Sequence, residues 1–297
     1  MLAFVFALCV ALGAPPSQVE ALAPRNAPAL VAPVVTGPGK LTTRTFKSRA
    51  VPGKRRYLVW QPPLAQDARL PVVVFLHGLG GEGKDWFDPE LGDLGPRLDR
   101  LMGPARGDAP GIAPFIAIAP DGDNGYWTDH LNQPAEGYGT LVDEVLADAA
   151  RHLPIDLERA ALVGVSMGGH GAMSVGLMHP QRYRAIVSMA GALFAEAPTH
   201  RPIYKRVWGF PADPAHWAKT SPIAILTRAD PATLPPLWLG VGKADLDRFL
   251  DLNVAADALL TRRGIPHEFM LVEGGHTWTT WGKMFEAWLG WLDAKLR

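Results

Sequence analysis

Beyond about residue 41 the chain switches repeatedly between two kinds of pattern. Unbroken apolar runs such as LPVVVFLHG (70–78) and APFIAIAPDG (113–122) end in Gly, Asp or Pro, the signature of strands covered on both faces. Runs of the same kind recur at RAALVGVS (159–166), YRAIVSMAG (183–191), PLWLGVGKAD (236–245) and HEFMLVEGGH (267–276). Between several of them lie stretches with helical spacing: TLVDEVLADAARHL (140–153), DRFLDLNVAADALLTRRG (247–264) and TTWGKMFEAWLGWLDAKL (279–296). Strand and helix alternating in this way predict an α/β fold with a mostly parallel central sheet, right-handed crossovers and helices on its flanks. Ahead of it, TRTFKSRAV and KRRYLVWQP carry short strand-like alternation and are expected to pair as a hairpin through Pro52-Gly53. No internal repeat is visible.

Length and composition fit this picture. The 297 residues are 48% hydrophobic and 20% charged, which suits one large domain with a substantial core. Lysine plus arginine equal aspartate plus glutamate at 29 each, so no net field favours nucleic acid or an anionic membrane. The opening MLAFVFALCVALGAPPSQVEALAP reads as a secretory signal peptide over residues 1–20. It is followed by a Pro/Ala-rich flexible lead-in over 21–40 and a catalytic domain over 41–297. The expected location is secreted or periplasmic, with no integral membrane span once the leader is removed. The leader has no basic residue before its apolar run, so a different start would make the protein cytoplasmic. Cys9, the only cysteine, lies in that leader, which leaves a mature chain with no disulfide, no cysteine metal site and no cysteine nucleophile.

In a parallel α/β sheet, sites form beyond the carboxyl ends of the strands. The junction ALVGVSMGGHGAMSVG (161–176) is a strand, a tight turn and a helix, with Gly164 and Gly168 two positions either side of Ser166. Such a turn crowds its neighbours, and glycine removes the Cβ that would clash, so G-x-S-x-G spacing projects the Ser166 hydroxyl at a helix N-terminus. The alternative is a glycine-rich helix start with Ser166 as an ordinary N-cap.

A serine hydroxyl needs a base, and the base needs an orienting acid. In this architecture they follow the serine in the order acid, then histidine. Of the histidines after Ser166, His170 and His179 belong to the helix that follows the serine, His200 and His216 to a Pro- and Trp-rich excursion, and His267 to the wrong end of a strand. His276 follows its strand in a GGH loop at the carboxyl edge and is the expected base. Asp245, in the loop after LWLGVG, is the expected acid, with Asp247 as the alternative and N-capping as the competing role for either. An oxyanion hole requires backbone donors worth about 3 to 4 kcal/mol each. The Met167 and Leu79 amides are expected to supply them, the latter from FLHGLGGEGKDW. His77 on that strand reads as structural, and HGLGG lacks the spacing of a phosphate loop.

Together LHGLGGEGKDW, YGTLVDEVLADAARHLPIDLERAALVGVSMGGHGAMSVGLMHPQRYRAIVSMAGAL, GKADLD and GGHTWTTW resemble the esterase D family of α/β-hydrolases, over about residues 42–296. That family also contains S-formylglutathione hydrolases, feruloyl esterases and the antigen 85 mycolyltransferases. The resemblance implies the α/β-hydrolase fold, Ser166 as nucleophile, Asp245 and His276 completing a triad, and Leu79 and Met167 as backbone donors. Trp278 and Trp281 stand where the family has a tryptophan after the histidine. S-formylglutathione hydrolases are typically cytosolic and carry a cysteine near the site, and the absence of one in the mature chain separates it from that subtype.

Ten tryptophans are present, and Trp86, Trp127 and Trp278 fall in predicted loops at the carboxyl ends of strands, where they are expected to hold an aryl or sugar group. Trp281, Phe285, Trp288 and Leu292 follow helical spacing and read as core. Asp121, Asp123 and Asp129 lack EF-hand spacing, so no metal is expected. The Pro-rich excursion from Phe194 to Pro236 is expected to form a lid or a pocket wall, or else a plain surface loop. The expected function is therefore a cofactor-free serine carboxylic-ester hydrolase, acting through an acyl-enzyme on a small-molecule or saccharide-linked ester. An acyltransferase on the same triad is the alternative. A noncatalytic carbohydrate-binding protein is a further one, opposed by the intact Ser, Asp and His. Nothing in the sequence sets the oligomeric state.

Overall fold

The computed structural model describes residues 33–104 and 111–297. The expected leader (1–20) and the lead-in as far as residue 32 lie outside the described residues. The remainder of the lead-in is tied to the domain: Val35 bridges to Leu64, and the Gly39 amide donates to Asp99 Oδ1 at 2.6 Å.

The apolar runs become strands: β1 (Lys40–Ser48), β2 (Gly53–Gln61), β3 (Leu70–Leu76), β4 (Ile116–Pro120), β5 (Ile155–Val165), β6 (Tyr183–Met189), β7 (Leu237–Gly242) and β8 (His267–Val272). Their spatial order is β1-β2-β4-β3-β5-β6-β7-β8. β1 and β2 form the predicted hairpin, with Ser48 opposite Gly53, and β2 runs antiparallel to β4. From β4 onward every neighbouring pair is parallel. The helices are α1 (Leu94–Leu101), α2 (Tyr138–Ala150), α3 (Met167–Met178), α4 (Pro202–Trp208), α5 (Pro214–Thr220), α6 (Pro222–Arg228), α7 (Asp247–Arg263), α8 (Trp278–Gly282) and α9 (Phe285–Leu296). This strand order and its flanking helices are those of an α/β-hydrolase fold.

The continuous apolar runs are explained by burial on two sides. Val72, Val74, Leu162 and Ile186 pack with Leu141 and Val145 of α2, Met173 of α3 and Leu260 of α7. Val73, Phe75, Val163 and Val187 face the other way, onto Leu98 of α1 and Phe285, Trp288 and Leu292 of α9. Successive residues of one strand thus serve different cores, which the period-2 pleat requires. Among the described residues, no helix is long and apolar enough to cross a membrane.

Two elements differ from expectation. The C-terminal stretch is two helices: after Gly282 the Lys283 and Met284 amides bond back only three residues, to the carbonyls of Thr280 and Trp281, which tightens and ends α8. The excursion after β6 is largely helical. α4, α5 and α6 each begin with proline at the first turn, where a missing N–H costs nothing, and the side chains of Asp213 and Ser221 cap α5 and α6.

Candidate active site

β5 ends at Val165, and the next residue turns the chain into α3. Ser166 sits there at φ 56°, ψ −117°, a conformation that costs a side-chain-bearing residue about 1–3 kcal/mol. Neighbouring backbone holds it in place: its amide donates to Met189 O at 2.9 Å, and its carbonyl accepts from His170 and Ala192. The glycines make this turn possible. A Cβ on Gly164 would lie 2.0 Å from Gly168 O, and one on Gly168 would lie 2.0 Å from Leu76 O.

β7 and β8 lie side by side, and their pairing continues past the strand ends. Lys243 N donates to Val272 O at 2.8 Å and Ala244 N to Gly274 O at 2.9 Å. The two loops that follow are therefore locked to each other, and they carry Asp245 and His276. His276 Nδ1 lies 2.8 Å from Asp245 Oδ1, and its Nε2 lies 2.8 Å from Ser166 Oγ. A carboxylate only accepts, so Nδ1 carries the proton and the Nε2 of the neutral ring accepts from the Ser166 hydroxyl. Asp245 Oδ1 also accepts the Leu246 amide at 2.8 Å, and its side chain is buried. Phe249 and Trp281 flank the imidazole. The structure thus brings Ser166, Asp245 and His276 into one hydrogen-bonded chain. Asp247 opens α7, and its side chain lies outside the described residues.

Leu79 lies in the turn after β3, closed by Gly81 N donating to Gly78 O at 3.1 Å. A Cβ on Gly78 would sit 3.4 Å from Ser166 Cβ, so this turn passes directly beside the serine. Met167 is the first residue of α3, where a backbone amide has no partner within the helix. His77 is buried and serves the turn: Nδ1 donates to Gly78 O at 2.8 Å and Nε2 accepts from Gly122 N at 3.0 Å. Burial holds its pKa below the usual histidine value.

The tryptophans require correction. Trp86 is fully buried, edge-on to Phe75, Trp278 and Phe285. Trp127 is also fully buried, its Nε1 donating to His77 O at 3.1 Å. Trp278 is half-buried against Trp86 and Trp281, away from the cleft wall. Trp86 and Trp127 therefore pack behind the site, in the second core and under the elbow, and do not face a ligand. The cleft beside Ser166 and His276 has a volume of about 700 Å³ and is walled instead by Leu79, Tyr126, Phe194, Tyr204, Leu246 and Phe249. His200, Arg201 and Arg248 complete its rim. Phe194, His200, Arg201 and Tyr204 come from the excursion expected to form a lid or a pocket wall, and Leu79 from the turn expected to supply a backbone donor. Sequence reasoning missed Tyr126, Leu246, Arg248 and Phe249, of which Phe249 had a local signal, one helical turn beyond Asp245.

The three aspartates of the 121–129 loop are occupied by protein donors. Asp121 accepts from Arg56 and Gly83 N, Asp123 from Arg55 and Tyr138, and Asp129 from the Thr140 amide and hydroxyl.

Residues 48–292 match the family described as "Putative esterase". The chain belongs to this family: it is an esterase of the α/β-hydrolase fold, a carboxylic ester hydrolase of the serine class. Its relatives include an acetyl esterase of Caldicellulosiruptor saccharolyticus, 23% identical over 75% of this chain and 84% of that protein. An S-formylglutathione hydrolase of Bos taurus is 25% identical over 74% of this chain and 81% of that protein. Among solved structures, a ferulic acid esterase superposes with a TM-score of 0.73 at 22% identity, covering 88% of this chain and 100% of the other.

Proposed function

We propose that Ser166 is the nucleophile of a two-step ester hydrolysis, with His276 as general base and acid and Asp245 as its orienting carboxylate. The observation that carries this reading is the chain of two 2.8 Å contacts from Asp245 through His276 to Ser166. As Ser166 Oγ attacks the acyl carbon, its proton passes to Nε2, and the buried Asp245 carboxylate stabilises the imidazolium through Nδ1–H. The Leu79 and Met167 amides receive the developing oxyanion. His276 then returns the proton to the leaving alcohol oxygen, releasing the alcohol and leaving an ester on Ser166. In the second step water, deprotonated by His276, attacks that ester, and the acid leaves as Ser166 regains its proton.

The aromatic wall of Tyr126, Phe194, Tyr204 and Phe249 suits a short or aryl acyl group. The names of an acetyl esterase and a ferulic acid esterase among its relatives point the same way. The apolar opening of residues 1–20 supports an exported enzyme. A fluorophosphonate probe tests the central reading: labelling of Ser166 in the folded protein, lost in Ser166→Ala together with p-nitrophenyl acetate turnover, is the expected result. Turnover that survives Ser166→Ala overturns it.

A further inference from the structure

Surface arginines of this protein find acceptors in two ways. Arg55, Arg56, Arg100, Arg159, Arg182 and Arg206 each meet a carboxylate, whereas Arg184, Arg228, Arg262 and Arg263 donate to backbone carbonyls. The two arginines on the rim of the Ser166 cleft are placed to meet a ligand. Among the described residues neither Arg201 nor Arg248 pairs with a carboxylate, and both are exposed. Arg248 instead sets Nη1 at 3.0 Å from Nε2 and 3.3 Å from Nδ1 of His200, whose ring stands edge-on to Tyr204. Desolvation and the two neighbouring guanidiniums lower the pKa of His200, so the ring adds no charge of its own near neutral pH. The carboxylate of Asp245 is buried, holds His276 and the Leu246 amide, and forms no ion pair with either guanidinium among the described residues.

Among the described residues the rim therefore holds two guanidiniums with no carboxylate partner, in a chain whose formal net charge is zero. Both are guanidiniums, whose planar donor forks match a carboxylate better than an ammonium does. Beneath them lies the aromatic wall, so a ligand fitting both has an apolar body and an anionic end.

We propose that the cleft selects esters carrying a carboxylate, on either the acyl or the alcohol portion, held by Arg201 and Arg248 while the carbonyl rests on Ser166. This rests on the reading of Ser166 as nucleophile.

The test compares each acid with its own methyl ester. For the acyl side the pair is p-nitrophenyl hydrogen adipate and p-nitrophenyl methyl adipate. For the alcohol side it is 4-acetoxybenzoic acid and methyl 4-acetoxybenzoate. The free acid of at least one pair is expected to show the higher kcat/KM, which also identifies the side that bears the anion. In the Arg201→Gln/Arg248→Gln protein this preference falls about tenfold, the product of two exposed ion pairs of ordinary strength, whereas Arg201→Lys/Arg248→Lys keeps part of it. With the unmodified protein, raising salt to about 0.5 M shrinks the preference several-fold, because exposed charges are screened over a few ångströms there. That arm needs no variant to fold. Neutral esters turned over with no preference for either acid, or a preference indifferent to both salt and the glutamine substitutions, overturns the proposal and leaves the hydrolase reading standing. Absence of turnover on all four esters, together with no fluorophosphonate labelling of Ser166, removes the reading of Ser166 as nucleophile, and this proposal with it; labelling without turnover of any of the four overturns the proposal alone.

Discussion

The ring of Phe249 lies 4.4 Å, centroid to centroid, from the imidazole of His276 and is tilted 43° to it. Phe249 is in the first turn of α7, directly after the loop that supplies Asp245, so one short stretch of chain both hydrogen-bonds the base and packs its face. Trp281 meets the imidazole edge-on, 5.1 Å between centroids. Truncation to Phe249→Ala removes one wall of the slot that aims Nε2 at Ser166. It is expected to lower kcat/KM for p-nitrophenyl acetate by about tenfold, since small misalignments of reacting groups are costly, with Phe249→Leu recovering part of the loss. An unchanged kcat/KM would mean that Asp245 alone fixes the ring.

Removal of the reacting groups has larger effects. Ser166→Ala is expected to lower kcat by about 10⁴- to 10⁶-fold. Asp245→Asn, which keeps the shape but favours the wrong tautomer of His276, is expected to cost about 10⁴-fold. Steady-state rates checked against unchanged circular dichroism decide both, and an Asp245→Asn enzyme within tenfold of the parent would exclude the carboxylate from the role assigned to it.

The elbow glycines act through space. A methyl group on Gly168 would sit 2.0 Å from Leu76 O and one on Gly164 the same distance from Gly168 O, and backbone atoms at that range cannot yield as a side chain can. Gly168→Ala and Gly164→Ala are each expected to destabilise the fold by about 3 kcal/mol or more, measured by urea unfolding. A loss below about 1 kcal/mol, small on the same scale, would show that β3 and α3 are free to move apart.

His170 gives the fold a pH dependence of known sign. Its Nδ1 bonds Ala192 O at 3.0 Å, Nε2 lies 3.4 Å from Thr128 Oγ1, and burial pushes its pKa down to about 4 from an ordinary 6.5. Between those values the unfolded chain holds a proton that the folded chain refuses. Stability is therefore fully present above pH 6.5 and is lost as pH falls toward 4, by about 3 kcal/mol from this site. His77, also lowered mainly by burial, adds in the same direction. Unfolding free energies at about pH 7.5 and about pH 4.5 are expected to differ less in His170→Gln than in the parent. Equal differences would assign the acid sensitivity elsewhere.

Ser166, Asp245 and His276 were legible in the chain because each directly follows an apolar run, and a strand end in a parallel sheet fixes where the next few residues lie. The hairpin through Pro52-Gly53 was legible for a similar local reason. Whether Trp86 and Trp127 face solvent or core depends on partners far away in the chain, such as Phe285 and His77, and no spacing rule reports that. The excursion is legible as a pocket wall, but its helices α4, α5 and α6 are not, because proline at the first position of a seven-residue helix looks, in sequence, like proline in a loop. The cleft wall assembles from four separate stretches, around residues 79, 126, 194–204 and 246–249, so its full composition required the fold.

The same topology separates two jobs. Ser166, Asp245 and His276 leave the ends of β5, β7 and β8, whereas Phe194, His200, Arg201 and Tyr204 all belong to the connection between β6 and β7. On the proposed reading, bond breaking and much of the choice of ester thus reside on different lengths of chain, joined at two strand ends. Exchange of that one connection between relatives would transfer a taste for particular esters while the reacting atoms stay where they are, so this architecture can diversify by replacing an insert and leave its sheet untouched.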